Sequence, residues 1–144
     1  MKKMLLSAAA LTLLFTACKK DDNKNNNSSS WTLGSTSYTA TTVVDSSGTI
    51  IVGASNGAVF LSTGASSFVT GSHKIVEWAD SALQIDITAM TAAGAAFSST
   101  DNHNVNADVT VNNGKVSVTV PEVWLTNLMG TDSLKFSGTF HTTN

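Results

Sequence analysis

The sequence predicts an all-β domain, built as an antiparallel β-sandwich of roughly eight to ten short strands or, alternatively, as an up-and-down β-barrel. Three observations predict it. From Trp31 onward the chain is rich in Ser, Thr, Val, Ala and Gly and poor in Glu, Lys, Leu and Gln, the residues that favour helix. Several short runs alternate apolar and polar residues, the period of a half-buried strand. Turn residues punctuate the runs at about every 8 to 12 positions, at Asp45-Ser46-Ser47-Gly48, Thr63-Gly64-Ala65-Ser66, Asp80-Ser81, Asp101-Asn102-His103-Asn104 and Gly130-Thr131-Asp132-Ser133.

The elements follow in order. A first strand is read over Thr36 to Val44. Thr49 to Ser55 and Ala58 to Ser62 form a hairpin about Asn56-Gly57, which sets Val52 opposite Leu61, Ala54 opposite Val59 and Phe60 opposite Gly53. Lys74 to Ala79 and Ala82 to Ala89 are strands. Met90 to Phe97 is Ala-rich about Gly94 and reads as a helical turn or a loop. Ala107 to Val111 and Lys115 to Val120 alternate strictly about Asn113-Gly114, a dipeptide suited to the positive φ angles of a type I′ turn. Pairing across that turn matches Val111 with Val116, Val109 with Val118 and Ala107 with Val120, and Thr110 with Ser117. Pro121 to Met129 reads as a short helix opened by Pro121 or as another strand, with strand favoured over Val123 to Asn127. In the last strand, Leu134 to His141, one face carries Leu134, Phe136, Gly138 and Phe140 and the other Lys135, Ser137, Thr139 and His141. The span from Trp31 to Asn144 suits one domain with its own core.

The N-terminal residues have another character. Lys2 and Lys3 precede an uncharged, mostly apolar run from Met4 to Ala17, the pattern of a signal peptide. A spanning helix needs about 20 apolar residues, and Lys19, Lys20, Asp21 and Asp22 end this run early. The chain's single cysteine closes Leu14-Phe15-Thr16-Ala17-Cys18, which resembles a lipobox, with Phe15 where Leu is more usual. The resemblance implies cleavage before Cys18, acylation of that residue and a stable membrane anchor, since several acyl chains exceed the marginal binding of one. Cys18-Lys19-Lys20-Asp21-Asp22 is similar to the export signal that sends lipoproteins of Bacteroidota to the outer face of the outer membrane. Asn23 to Ser30 contains no apolar residue, so it is read as a disordered tether. The expected organisation is a leader over 1–17, a lipidated tether over 18–30 and a domain over 31–144. A lone cysteine forms neither an intramolecular disulfide nor a Cys-based metal cluster.

Within the domain three lysines face eight acidic residues, a net charge of about −5, and the chain has no arginine. This disfavours a nucleic-acid partner and removes the bidentate clamp used for phosphates. Gly53-Ala54-Ser55-Asn56-Gly57 matches the G-x-S-x-G pattern of serine hydrolases, but a hairpin turn at Asn56-Gly57 and a strand rather than a helix follow, so the nucleophile elbow is absent and Ser55 is not read as a nucleophile. Asp101 to Asp108 collects oxygen ligands without EF-hand spacing, and His73, His103 and His141 show no metal spacing; no metal and no cofactor are expected. Glu77, Asp80, Asp86 and Glu122 are the stock from which a glycosidase pair would be drawn. Trp78 and Trp124 are candidate stacking residues for a sugar. Asp80-Ser81-Ala82 and Asp132-Ser133-Leu134 resemble the O-glycosylation motif of exported Bacteroidota proteins, which implies Ser81 and Ser133 as acceptors. The expectation is a lipid-anchored surface module that binds a glycan or a protein partner without catalysis. The alternatives are an accessory subunit of an outer-membrane complex, and a hydrolase whose carboxylates meet only in the fold.

Overall fold

A computed structural model of the chain describes residues 28–101 and 104–143. The leader, Cys18, the Lys19, Lys20, Asp21 and Asp22 signal, the tether up to Asn27, and His103 lie outside the described residues. The all-β expectation holds, with eleven strands among the described residues: β1 (Ser30–Leu33), β2 (Thr36–Thr39), β3 (Thr42–Ser46), β4 (Thr49–Ala54), β5 (Gly57–Ser62), β6 (Gly71–Ile75), β7 (Gln84–Thr91), β8 (Ala96–Ser98), β9 (Asn106–Asn112), β10 (Lys115–Asn127) and β11 (Ser133–His141).

They form one sheet in the order β2-β1-β11-β10-β9-β6-β7-β5-β4-β3, with β8 hydrogen-bonded to both β7 and β10. That double pairing closes β10-β9-β6-β7-β8 into a ring. The two edge strands β2 and β3 are consecutive in sequence, joined through Ala40 and Thr41, whose amides donate to the carbonyls of Ser29 and Gly53. A sheet drawn together in this way encloses a single core, and residues from ten of the strands meet in it, among them Trp31, Ile50, Leu61, Ile75, Ile87, Leu125, Phe136 and Phe140. Trp31 stacks on Tyr38 at 5.0 Å between ring centroids.

The hairpin about Asn113-Gly114 adopts the expected register, with Val116 opposite Val111, Val118 opposite Val109 and Ser117 opposite Thr110. Positive φ at Asn113 (50°) and Gly114 (77°) gives the type I′ geometry. The register with β10 runs as far as Thr119 opposite Asp108, short of the expected Ala107–Val120 pair, and on its other side Ala107 pairs with His73 of β6.

Several expectations need correction. At Asn56-Gly57 the loop is Ser55-Asn56, and Val52 pairs with Val59 and Ile50 with Leu61. The register is displaced by two residues, which keeps every side chain on its own face, so alternation is blind to it. The run from Thr36 to Val44 is interrupted at Ala40 and becomes two edge strands. Met90 to Phe97 is neither helix nor plain loop but the tip of the β7–β8 hairpin, turning at Gly94 with φ 81°. The pairing is also not wholly antiparallel, because Lys74 and Ile75 of β6 run parallel to Gln84 and Ile85 of β7.

Pro121 lies within β10 rather than opening a helix. Val116, Val118 and Val120 point into the core, the register shifts between Val120 and Val123, and Val123 and Leu125 are buried thereafter. A bulge there changes the inward phase by one residue, and Pro121 fits because the bulged position needs no ladder N–H. The phase change turns Trp124 outward.

Candidate binding cleft

Trp78 was placed by the sequence on a strand from Lys74 to Ala79, but β6 ends at Ile75 and the chain turns out of the sheet. Side chains replace the missing strand partner along this segment. The Glu77 amide donates to Asp101 Oδ1 at 2.9 Å, the Ala79 amide to Asp86 Oδ2 at 3.4 Å and the Asp80 amide to Gln84 Oε1 at 2.9 Å. Beneath them, Ser99 is buried; its hydroxyl donates to the Val76 carbonyl at 2.6 Å and accepts from the Ile87 amide at 2.9 Å. The loop is therefore held by four side chains on other segments. Trp78, at its apex, is 84% exposed.

A large aromatic exposed to that degree is informative in a way that a single exposed Leu is not. Trp78 lies at the edge of a cleft of about 500 Å³ lined also by Glu77, Asp86, Thr88, Ser98, Ser99, Thr100, Thr126, Asn127 and Leu128, a size in the range of small-ligand sites. Thr88 and Ser98 face the solvent side of adjacent strands with their hydroxyls 2.8 Å apart, and Thr126 stands opposite Ser98 across β10 and β8. Leu128, 62% exposed, follows at the end of β10. Burial raises the pKa of the Asp86 carboxyl above its ordinary value, against the lowering effect of hydrogen bonds from the Ala79 amide and its own.

The candidate residues separate clearly. Glu77, Trp78 and Asp86 come together in the cleft. Trp124 does not line it; it stands on the same outward face of β10 as Thr126, with the Lys135 ammonium 5.6 Å from its ring centroid. Glu122 is paired with that same lysine at 2.7 Å, and Asp80 is exposed at the loop end. Ser55 sits exposed in a strand-to-strand turn, which rules out an elbow. Asp101, read as part of an oxygen-rich loop, caps the Glu77 amide, and Asp108 faces Thr119 in the sheet. Among the described residues no three of His, Cys, Asp and Glu gather as a metal site. His73 is fully buried, its Nε2 2.9 Å from the Val69 carbonyl, while His141 Nδ1 lies 2.9 Å from the Ser117 hydroxyl. Ser81 and Ser133 are both exposed.

Ser99, and the capping role of Asp101, escaped sequence reading. Their types are common in turns, and only the fold brings them to the loop amides and carbonyls they serve. A second concavity, about 440 Å³ on the outer face of β2, β1, β11 and β10, presents the hydroxyls of Ser30, Thr32, Ser37, Thr39, Thr119, Ser137 and Thr139 above the buried rings of Trp31 and Tyr38. It offers no exposed ring, which the Trp78 cleft does. Among the described residues no helix is long and apolar enough to cross a membrane, which leaves strand-borne insertion unaddressed. No protein-family model, no curated protein and no solved structure matches the chain.

Proposed function

We propose that this protein is a lipid-anchored surface module that binds a glycan, without catalysis, in the cleft beside Trp78. The single observation that carries the reading is the exposed Trp78 ring on a loop fixed by side-chain hydrogen bonds, beside hydroxyl and amide groups on neighbouring strands. A sugar ring presents an apolar face and a polar edge. An indole matches the first, and Thr88, Ser98, Thr126 and Asn127 match the second. A rigid platform lowers the ordering cost of binding.

The anchor rests on the resemblances at Cys18 and Lys19 to Asp22. Cys18→Ser should move the protein from the membrane fraction to the soluble fraction, and retention with membranes would count against the anchor. For the cleft, a glycan array probed beside a pull-down separates a sugar ligand from a protein partner. Trp78→Ala should remove array binding with unchanged melting; array signals that survive it place the sugar elsewhere.

One observation favours a second reading. A hydrolase reading expects a cleft with a shifted carboxylate, and the buried Asp86 supplies one, with Glu77 lining the same cleft. Release of reducing ends from array-positive glycans, abolished by Asp86→Asn, would establish hydrolysis in place of simple binding.

A further inference from the structure

We infer that the glycan taken by the Trp78 cleft carries free amino groups, a cationic amino-sugar chain rather than a neutral or N-acetylated one. The inference rests on the sugar-binding reading above and deepens it. Among the described residues, two ionisable side chains line the cleft, Glu77 and Asp86, both carboxyls, and no described lysine or histidine lines it.

The carboxylates are placed differently. Glu77 adjoins Trp78 in sequence and is exposed, so its charge stands at the mouth beside the indole. Asp86 is half-buried on β7, two positions from Thr88 on the same outward face. Its Oδ2 accepts a long 3.4 Å bond from the Ala79 amide, and a desolvated carboxylate gains most from a charge-assisted donor.

An ammonium group supplies such a donor, and a cation is also attracted to the face of an indole. A neutral sugar gains the stacking and hydroxyl contacts but brings no cation to either carboxylate. The domain's net charge of about −5 reinforces the preference at longer range. A lysine-rich peptide shares the charge, but it has no ring face for Trp78 and no row of hydroxyls for Thr88, Ser98 and Thr126. The sugar therefore fits more of the surface.

The test is calorimetric titration of the folded domain-bearing chain with three oligosaccharides of equal length, one of glucosamine, one of N-acetylglucosamine and one of glucose, and with a lysine oligopeptide. Glucosamine oligomers should bind about tenfold tighter than the other two sugars, equivalent to ~1.4 kcal/mol, and tighter than the peptide. Glu77→Gln with Asp86→Asn should erase the preference and leave the weaker sugar binding, with melting curves confirming that the variant is folded. Equal binding of all three sugars overturns the amine inference and leaves the sugar site standing. Binding of the peptide as tightly as glucosamine overturns the sugar assignment, because charge alone would then be recognised. Absence of any sugar binding removes both.

Discussion

At the scale of single residues, the cleft depends on a buried hydroxyl and a half-buried carboxyl more than on the tryptophan it displays. Ser99 satisfies the Val76 carbonyl and the Ile87 amide together. Ser99→Ala leaves both groups without that partner, at a cost of about 1–3 kcal/mol. Denaturant unfolding should show the loss, and acrylamide quenching should show a more mobile Trp78. Asp86 gives a prediction with a definite sign. Its pKa is raised in the folded state, so the folded protein holds that proton more tightly than the unfolded chain. Its contribution is present while it is protonated, and falls as pH rises from the unfolded carboxylate range through the raised folded value. The melting temperature of the wild type relative to Asp86→Asn should therefore decline as pH rises above the ordinary carboxylate range. A constant or rising difference would show that burial does not govern this group. Little of this was legible in the sequence, since Asp86 occupies one outward position of an alternating strand and nothing local distinguishes it from Asp108.

At the scale of elements, the two Asn-Gly pairs show what local chemistry decides and what it leaves to packing. At Asn113-Gly114 the turn and the alternation agree, and the hairpin forms as its residues dictate. At Asn56-Gly57 the alternation permits two registers, and the turn is placed one residue earlier, at Ser55-Asn56. Gly57 lies opposite Ala54, where a β-carbon would stand 2.6 Å from the Met90 carbonyl oxygen and 2.7 Å from the Tyr38 ring. This glycine is needed for space, whereas Gly114 is needed for its positive φ. Gly57→Ala should destabilise by about 1–3 kcal/mol through overpacking, and Gly114→Val by about 1–3 kcal/mol through backbone strain. Thermal melts of the two variants check both. At Gly94 a β-carbon meets nothing within 4 Å, so only its φ of 81° resists substitution. The end of β6 was illegible for a different reason. Val76 continues the apolar pattern, yet the ladder stops because Asp101, Asp86 and Gln84 take the next amides.

At the scale of the whole molecule, the topology separates the attachment point from the cleft. Ser29 is buried, and its hydroxyl both accepts from the His141 amide at 2.8 Å and donates to the His141 carbonyl at 3.2 Å. The ordered domain thus begins slightly earlier than Trp31, and the chain enters it beside the last residue of β11. Thr126 of the cleft pairs with Ser133 at the first residue of that strand. The nine residues of β11 span roughly 26 Å at about 3.3 Å per residue. On the lipid-anchored reading, the tether enters at one end of the long strands and the sugar meets the other. The all-β class was legible from composition and period. The ring closed by β8 and the parallel contact of β6 with β7 were not, because both arise from pairings between segments distant in sequence.

The most direct test of the central claim uses the Trp124→Phe variant, in which Trp78 is the exposed indole and Trp31 remains buried. Its fluorescence is followed during titration with a glucosamine oligomer, with acrylamide as an aqueous quencher. The account predicts a blue shift and a saturable loss of quenching as the sugar covers Trp78. An emission spectrum and quenching constant that stay unchanged while the sugar binds, or that show no binding up to millimolar sugar, would contradict it.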